Sequence, residues 1–513
     1  MKRFVVCSNV FLGLLTLLVP GRSRAELDDQ SLSTLEYGVD AERVRGLKLR
    51  RPPETDREPW AVVKANAEQR PMLLDPRPEL LEDLPLYETL GLVSDSEEGR
   101  REVHQVSWPW LKAGYVPAEG GGTIVVATDA TSADHVMAVG LAALDQNFDL
   151  GSLAARPDRD QQLAAESMFL GDAAMFWLSR LQASHQGDLP ARERWGRDLL
   201  REALARSGHA HATRFVDRLV EARFMDGLGA VMAVRDVSPW GGLDDMYQRG
   251  LPLSTAQVLH PETLLRDQQR RTVRPSKIEA LAARGSPEEG VLGELRLRLW
   301  LETWLDSDVA ARAAAGWAGD RYQLVPPPAG GPSKGSTLVL LTAWDQLDEP
   351  GVDEARDFAG AVKTAVEKQA LGPLRPLVSD DLDGATAWTD GNERAALVEQ
   401  REDKVLFIAG CEEKAVAQVR REVWEEWTVG HVDLSSVGVD AAAPPPPIVP
   451  MEPEAPWYKR TPGLVALFLW LALALPLAAF SIGRKTSINP VRFYVLAIVT
   501  TGVLVFIGWL VGL

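Results

Sequence analysis

The sequence predicts an α+β chain: a largely helical domain with a small sheet, followed by a C-terminal two-helix transmembrane hairpin. Three observations predict it. Apolar residues recur at helical spacing through much of the chain, most clearly from Thr131 to Leu150. Short apolar runs at 113–127, 337–344 and 404–409 read as strands. Two apolar stretches, 463–482 and 493–513, are each about twenty residues, long enough to span a bilayer. The composition, 46% hydrophobic and 25% charged over 513 residues, is ordinary for a globular protein of two or three domains. A formal net charge of −17 with no basic stripe argues against a nucleic-acid partner.

Residues 1–25 read as a secretory signal peptide. Lys2 and Arg3 precede an apolar run, and Ser23 and Ala25 are small residues at −3 and −1 of a cleavage site. Cys7 lies inside this segment, so cleavage leaves Cys411 alone and the mature chain without an internal disulfide. Residues 26–116 are expected to form the N-terminal part of the main unit. Trp60 to Glu68 reads as helical, and Ala113-Gly114-Tyr115, Gly120-Gly121-Gly122 and Thr123 to Ala127 read as strand, turn and strand.

The helix over Thr131 to Leu150 carries a T-x-x-D capping signature at Thr131 and Asp134. Met137, Leu141, Leu144 and Phe148 follow at i, i+4, i+7 and i+11, a single stripe facing a core. A second helical stretch, Asp160 to Leu181, contains Met168-Phe169-Leu170-Gly171-Asp172-Ala173. Together these stretches resemble a family of secreted bacterial zinc-metallopeptidase-like proteins. In that family a helix carries H-E-x-x-H followed by Asp-Gln-x-Phe-Asp-Leu, and a second helix carries Glu-Gly-Asp-Ala. Asp145, Gln146, Phe148, Asp149 and Leu150 match the first tail, and Gly171, Asp172 and Ala173 match the second. Val44 to Leu47, Leu253 to Glu262 and Gly316 to Tyr322 also resemble family segments.

The resemblance implies a degenerate zincin-like fold of gluzincin type, with residues 117–325 as its helical core. In this register Met137 and Leu141 stand where the two histidines would be, Ala138 at the general-base glutamate and Leu170 at the third ligand. A catalytic zinc needs nitrogen, sulfur or oxygen ligands and an open position for water, and the adjacent glutamate takes the proton from that water. Met, Ala and Leu supply none of this. No His-x-x-x-His pair occurs anywhere in the chain. The expectation is a pseudo-peptidase with no metal, no cofactor and no catalytic residue, binding a peptide or protein partner at the former substrate cleft. An edge strand beside the metal helix, which holds extended substrate in such peptidases, would keep that role. The alternatives are a structural membrane-complex subunit with a filled cleft, or a hydrolase using relocated residues.

The histidines read as structural. His135 precedes Met137 by two residues and so points about 200° away around an ideal helix. Glu166, one turn before Leu170, reads as a solvated helix carboxylate, and His209 and His211 as loop residues. Ser254 and Gln257 form a capping box with Leu253 and Val258 as its staple, and His260, before Pro261, reads as a helix-end or packing residue.

Residues 326–440 are expected to form an α/β subdomain, with helices at Glu354 to Gln369 and Glu413 to Trp427. A Pro-rich linker, 441–460, then leads to the two spans in 461–513. Arg484, Lys485 and Arg492 crowd the connection between spans, which the positive-inside rule puts in the cytoplasm. The sequence thus implies a bacterial cytoplasmic-membrane protein, in contact with the bilayer through 463–482 and 493–513, with its large domain on the periplasmic side.

Overall fold

The computed structural model describes residues 29–66, 72–75, 77–94, 96–105, 112–151, 156, 158–182, 214–250, 252–264, 270–327, 335–345, 353–369, 374–390 and 392–431. The chain divides into two compact units, residues 1–442 and 443–513. The second unit, the signal-peptide segment, the proline-rich linker and residues 183–213 lie outside the described residues.

Helix α1 (Asp29–Asp40) runs into a π turn (Ala41–Arg45) that ends at Gly46, whose φ of 82° supplies the left-handed residue a helix end favours. Strand β1 (Glu54–Glu58) and helices α2 (Trp60–Ala65), α3 (Arg77–Glu82), α4 (Leu84–Thr89) and α5 (Ser96–Gln105) follow. Strands β2 (Ala113–Val116) and β3 (Thr123–Ala127) pair antiparallel, and β1 joins β3 in parallel, giving the order β1-β3-β2.

Helix α6 (Ser132–Phe148) leaves this sheet through a complete capping box. The Asp134 carboxylate accepts from the Thr131 N–H at 2.6 Å, and Thr131 Oγ1 accepts from the Asp134 N–H at 3.3 Å. Its apolar pattern predicts one buried stripe, but every residue from Asp134 to Leu144 is buried. The reason is that β2, β3, α1 and α7 (Arg159–Gln182) all pack against it. A helix apolar around its whole circumference belongs to a core, not a surface.

Helix α8 (Arg214–Val237) packs along α7 at the closest approach in this part of the fold. A Cβ on Gly171 would overlap the carbonyl group of Gly227, and one on Gly227 would overlap the carbonyl of Ser167. The two backbones are in direct contact, which only glycine allows. Helices α9 (Trp240–Gln248) and α10 (Thr255–Leu259) complete this layer. At α10 the expected capping box is half formed. Ser254 occupies the N-cap but its side chain makes no cap bond, while Gln257 Oε1 accepts from the Leu253 N–H at 2.7 Å.

The remaining elements are β4 (Arg271–Arg274), β5 (Glu288–Gly290), α11 (Gly293–Trp304), α12 (Ser307–Ala314), β6 (Trp317–Val325), β7 (Thr337–Trp344), α13 (Glu354–Gln369), β8 (Arg375–Pro376), β9 (Thr386–Thr389), β10 (Arg394–Arg401), β11 (Lys404–Glu412), α14 (Glu413–Glu426) and β12 (Thr428–His431). Seven of these strands form one sheet in the order β5-β6-β7-β11-β10-β9-β8, with every pairing antiparallel. Strand β12 pairs separately with β4. Alternation divides the inner strands between two faces. Leu338, Leu340, Val405 and Phe407 join the main core, where Trp300 of α11 stacks on Phe407 at 5.3 Å. Val339, Leu341, Leu406 and Ile408 meet Val416, Val419 and Val423 of α14 on the other side.

The expected fold class needs correction on two counts. The sheet is not small: seven strands carry the C-terminal half of the described fold. Strands β6 and β10 escaped the sequence reading because Asp320, Arg321 and Gln323 interrupt one, and Glu399, Gln400 and Arg401 the other. Such residues hide an apolar alternation until their partners are known; Glu399, for example, is bound by Arg420 at 2.7 Å. In addition, the expected two-helix transmembrane hairpin is not observed: among the described residues no helix is long and apolar enough to cross a membrane, and 461–513 lie outside them.

The α7–α8 contact gives a direct expectation. Gly171→Ala and Gly227→Ala should each lower stability by about 1–3 kcal/mol or more, the usual range for overpacking. Gly229→Ala is the internal control, because nothing lies within 4 Å of its added Cβ. It should gain about 0.5–1 kcal/mol from helix propensity. Chemical denaturation of the three variants checks the contrast.

Candidate functional site

The four positions singled out by the peptidase resemblance lie on α6 and α7. Met137, Ala138 and Leu141 are each 1% exposed and Leu170 is 4% exposed, and all four belong to one apolar cluster with Val126, Phe169 and Phe176. The two helices approach closely at Gly140, where a Cβ would stand 3.1 Å from Phe176 and 3.5 Å from Ala173. Among the described residues no group of three His, Cys, Asp or Glu side chains could hold a metal ion.

The matching motif residues are engaged in joining chain segments. Asp172, fully buried, receives Arg45 through two parallel hydrogen bonds of 2.8 and 2.9 Å and the Tyr247 hydroxyl at 3.1 Å. Arg45 also reaches Asp244 at 2.7 Å and lies 4.4 Å above the Trp240 ring. Burial opposes its charge, but Asp172, Asp244 and Tyr247 together outweigh burial and hold the guanidinium protonated. Gly171, the neighbouring residue, makes the α8 contact. One dipeptide therefore faces two different elements.

At the end of α6, Gln146 bonds the backbone of Arg51 in both directions, at 2.8 and 3.0 Å, and reaches the Gly121 carbonyl at 3.1 Å. Asp145 accepts from the Leu150 N–H at 3.1 Å; burial raises its pKa, with the Tyr115 hydroxyl pulling the other way. Asp149 adopts φ 52° and closes the helix with its N–H on the Asp145 carbonyl at 2.8 Å. Phe148 packs edge-on to Tyr247 with ring centres 5.2 Å apart. These contacts account for the D-Q-x-F-D pattern as a helix-end clamp.

The other sequence candidates are dispersed. His135 turns toward α1, with Nε2 2.8 Å from Thr34 Oγ1 and its ring edge-on to Tyr37. Burial, aided by Arg57, pushes its pKa down to about 4, so it is neutral at pH 7. Glu166 is not a solvated carboxylate: it is 3% exposed and paired with Arg223, itself 2% exposed. His260 Nε2 lies 2.7 Å from the buried Glu294 carboxylate, a hydrogen bond that raises the histidine pKa against the opposing effect of burial. His209 and His211 lie outside the described residues.

Sequence reading missed a pair of buried aspartates at the start of α11. Asp160 of α7 accepts from the Thr255 N–H at 3.2 Å and from the Thr255 hydroxyl at 2.5 Å. Asp320 of β6 accepts from the Leu292 and Gly293 N–H groups at 2.8 Å and from Trp317 Nε1 at 2.9 Å. Burial lifts Asp160 up to about 7, with Arg270 opposing. The pair fastens the helix start to α7, α10 and β6. Gly293, at φ 76°, has no room for a Cβ beside Asp160. The one available sign was an acid, Asp320, between the aromatic residues Trp317 and Tyr322.

Comparison with known proteins adds one match. Residues 279–420 match the model of a family described as a domain of unknown function (DUF8575). The stretch contains all seven strands of the large sheet, and Met137, Ala138, Leu141 and Leu170 lie outside it. No curated protein and no solved structure matches the chain.

Proposed function

We propose that this chain is a non-hydrolytic, metallopeptidase-like protein that serves as a structural subunit, its former cleft filled by its own side chains. The observation that carries the reading is the burial of Met137, Ala138, Leu141 and Leu170 in a single apolar core. Zinc hydrolysis requires three ligands, an open coordination position and a proton acceptor. Side chains of this kind offer packing in place of all three, at about 1.5–3 kcal/mol for each large one buried.

A second observation bears on the peptide-binding reading, in which a partner lies along the edge strand beside α6. The outer edge of β2 is already taken by the chain itself. The Leu73 N–H donates to the Tyr115 carbonyl at 2.8 Å, and a Cβ on Gly114 would overlap the Met72 sulfur. A peptide adding to this edge would have to displace that segment. The filled cleft therefore supports a structural role over capture of an extended peptide.

Two experiments test the proposal. The purified protein should contain no stoichiometric zinc by mass spectrometry of metals, and chelators should leave its melting temperature unchanged; one tightly held zinc per chain would defeat the reading. Combining Met137→His, Leu141→His and Leu170→Glu should destabilise the protein strongly, since each unpaired polar group in a core costs about 1–3 kcal/mol. Zinc should then restore much of that loss by binding the folded form alone. A triple variant as stable as the parent and indifferent to zinc would show that these positions do not converge.

A further inference from the structure

Helix α10 is fastened to α11 at two points. At its start, Thr255 Oγ1 accepts from the Leu295 N–H at 3.1 Å. At its end, His260 Nε2 lies 2.7 Å from Glu294 Oε1. The backbone of His260 is also the junction between α10 and the 3-10 turn Pro261–Thr263 that follows. Its N–H donates to the Ala256 carbonyl at 2.8 Å, and its carbonyl accepts from the Thr263 N–H at 2.8 Å and the Thr263 hydroxyl at 2.7 Å. Wherever this imidazole is held, the end of α10 and the turn are held with it.

The two partners differ in environment. The Glu294 side chain is 3% exposed, so its negative charge is stable only beside a positive one. The His260 side chain is 36% exposed and exchanges its proton with solvent. Further charges face the pair. Glu262 of the turn stands 3.9 Å from His260 Nδ1, Asp345 beyond β7 faces Glu294, and Arg298 of α11 faces both. Arg298 is already engaged: its Nε donates to Glu302 at 3.0 Å, and Asp226 of α8 draws on the same charge. From α7, Asp160 holds the other end of α10 through Thr255. A protonated His260, set between Glu294 and Glu262, supplies the positive charge that the buried carboxylate needs. A neutral imidazole can still donate a hydrogen bond, but it leaves that carboxylate without its counter-charge.

We propose that His260 and Glu294 form a proton-operated clasp, which locks the end of α10 and the following turn onto α11 while His260 is protonated and releases them when that proton is lost. The hydrogen bond to Glu294, and then the charges of Glu294 and Glu262, raise the histidine pKa above its ordinary 6.5, against burial and Arg298. The folded chain keeps a proton that the unfolded chain releases. The stabilisation is therefore complete below about pH 6.5 and is lost as pH rises through the higher folded value.

The test compares the full-length chain with His260→Gln, which keeps a neutral donor but takes up no proton. The ratio of variant to wild-type unfolding constants in denaturant should be largest near pH 6 and fall, by up to about tenfold per pH unit, toward pH 9. Contributions common to both proteins, such as that of Asp160, cancel. Hydrogen exchange across residues 256–264, corrected for intrinsic rates, should speed up over the same range more in wild type than in the variant. Proton NMR of the His260 imidazole should place its titration above pH 6.5 in wild type, and Glu294→Gln should move it down. A ratio that does not change with pH, or a His260 that titrates at or below 6.5 or is indifferent to Glu294→Gln, would overturn the clasp.

Discussion

The contact between α7 and α8 at Gly171 and Gly227 is the constraint on which the rest of the helical layer depends. With no side chain at either position the backbones touch. That depth of approach fixes the rotation of α7 about its axis. The next residue, Asp172, is then turned toward Arg45 and Tyr247, and Ala173 and Phe176 toward Gly140 of α6. The N-terminal segment, α6 and α8 thus take their places around one helix. A sequence signature that resembles part of a metal site has, in this fold, a complete explanation in packing and ion pairing.

The same layer contains an unusual amount of buried charge, and its arrangement is consistent throughout. Arg45 with Asp172, Arg223 with Glu166 and Arg296 with Asp83 each join elements distant in sequence. Buried pairs of this kind contribute little net stability, since desolvation offsets most of their attraction, but removing one partner costs about 3–5 kcal/mol. They act as registry pins more than as sources of stability. At the seam of α6 and α7 the opposite solution is used: no charge is buried at Met137, Ala138, Leu141 or Leu170, and no partner is required.

Helices with strong caps and strands with uninterrupted apolar runs were legible in the sequence. The capping box at Thr131 and Asp134, the strand Thr337–Trp344 and the helix Glu354–Gln369 follow from local pattern alone. What was not legible depends on partners far away in the chain. Glu166 reads as solvated until Arg223, in another helix, is seen beside it. Strand β10 reads as a polar segment until Arg420 and Trp424 of α14 are found on Glu399. Ser254 has the sequence of a cap but not its bond, because the neighbouring Thr255 is bound to Asp160, which fixes the turn. For the candidate site, the sequence supplied the positions, while their complete burial on α6 came from four elements packing on one helix.

The central claim is that the seam between α6 and α7 is closed core and not an open cleft. Thiol labelling of Leu141→Cys measures this most directly, in a background where Cys7 and Cys411 are replaced. If the account is correct, the new cysteine reacts only as fast as the whole domain unfolds, and its labelling rate follows global stability as denaturant is added. Modification within seconds under native conditions, independent of denaturant, would contradict it.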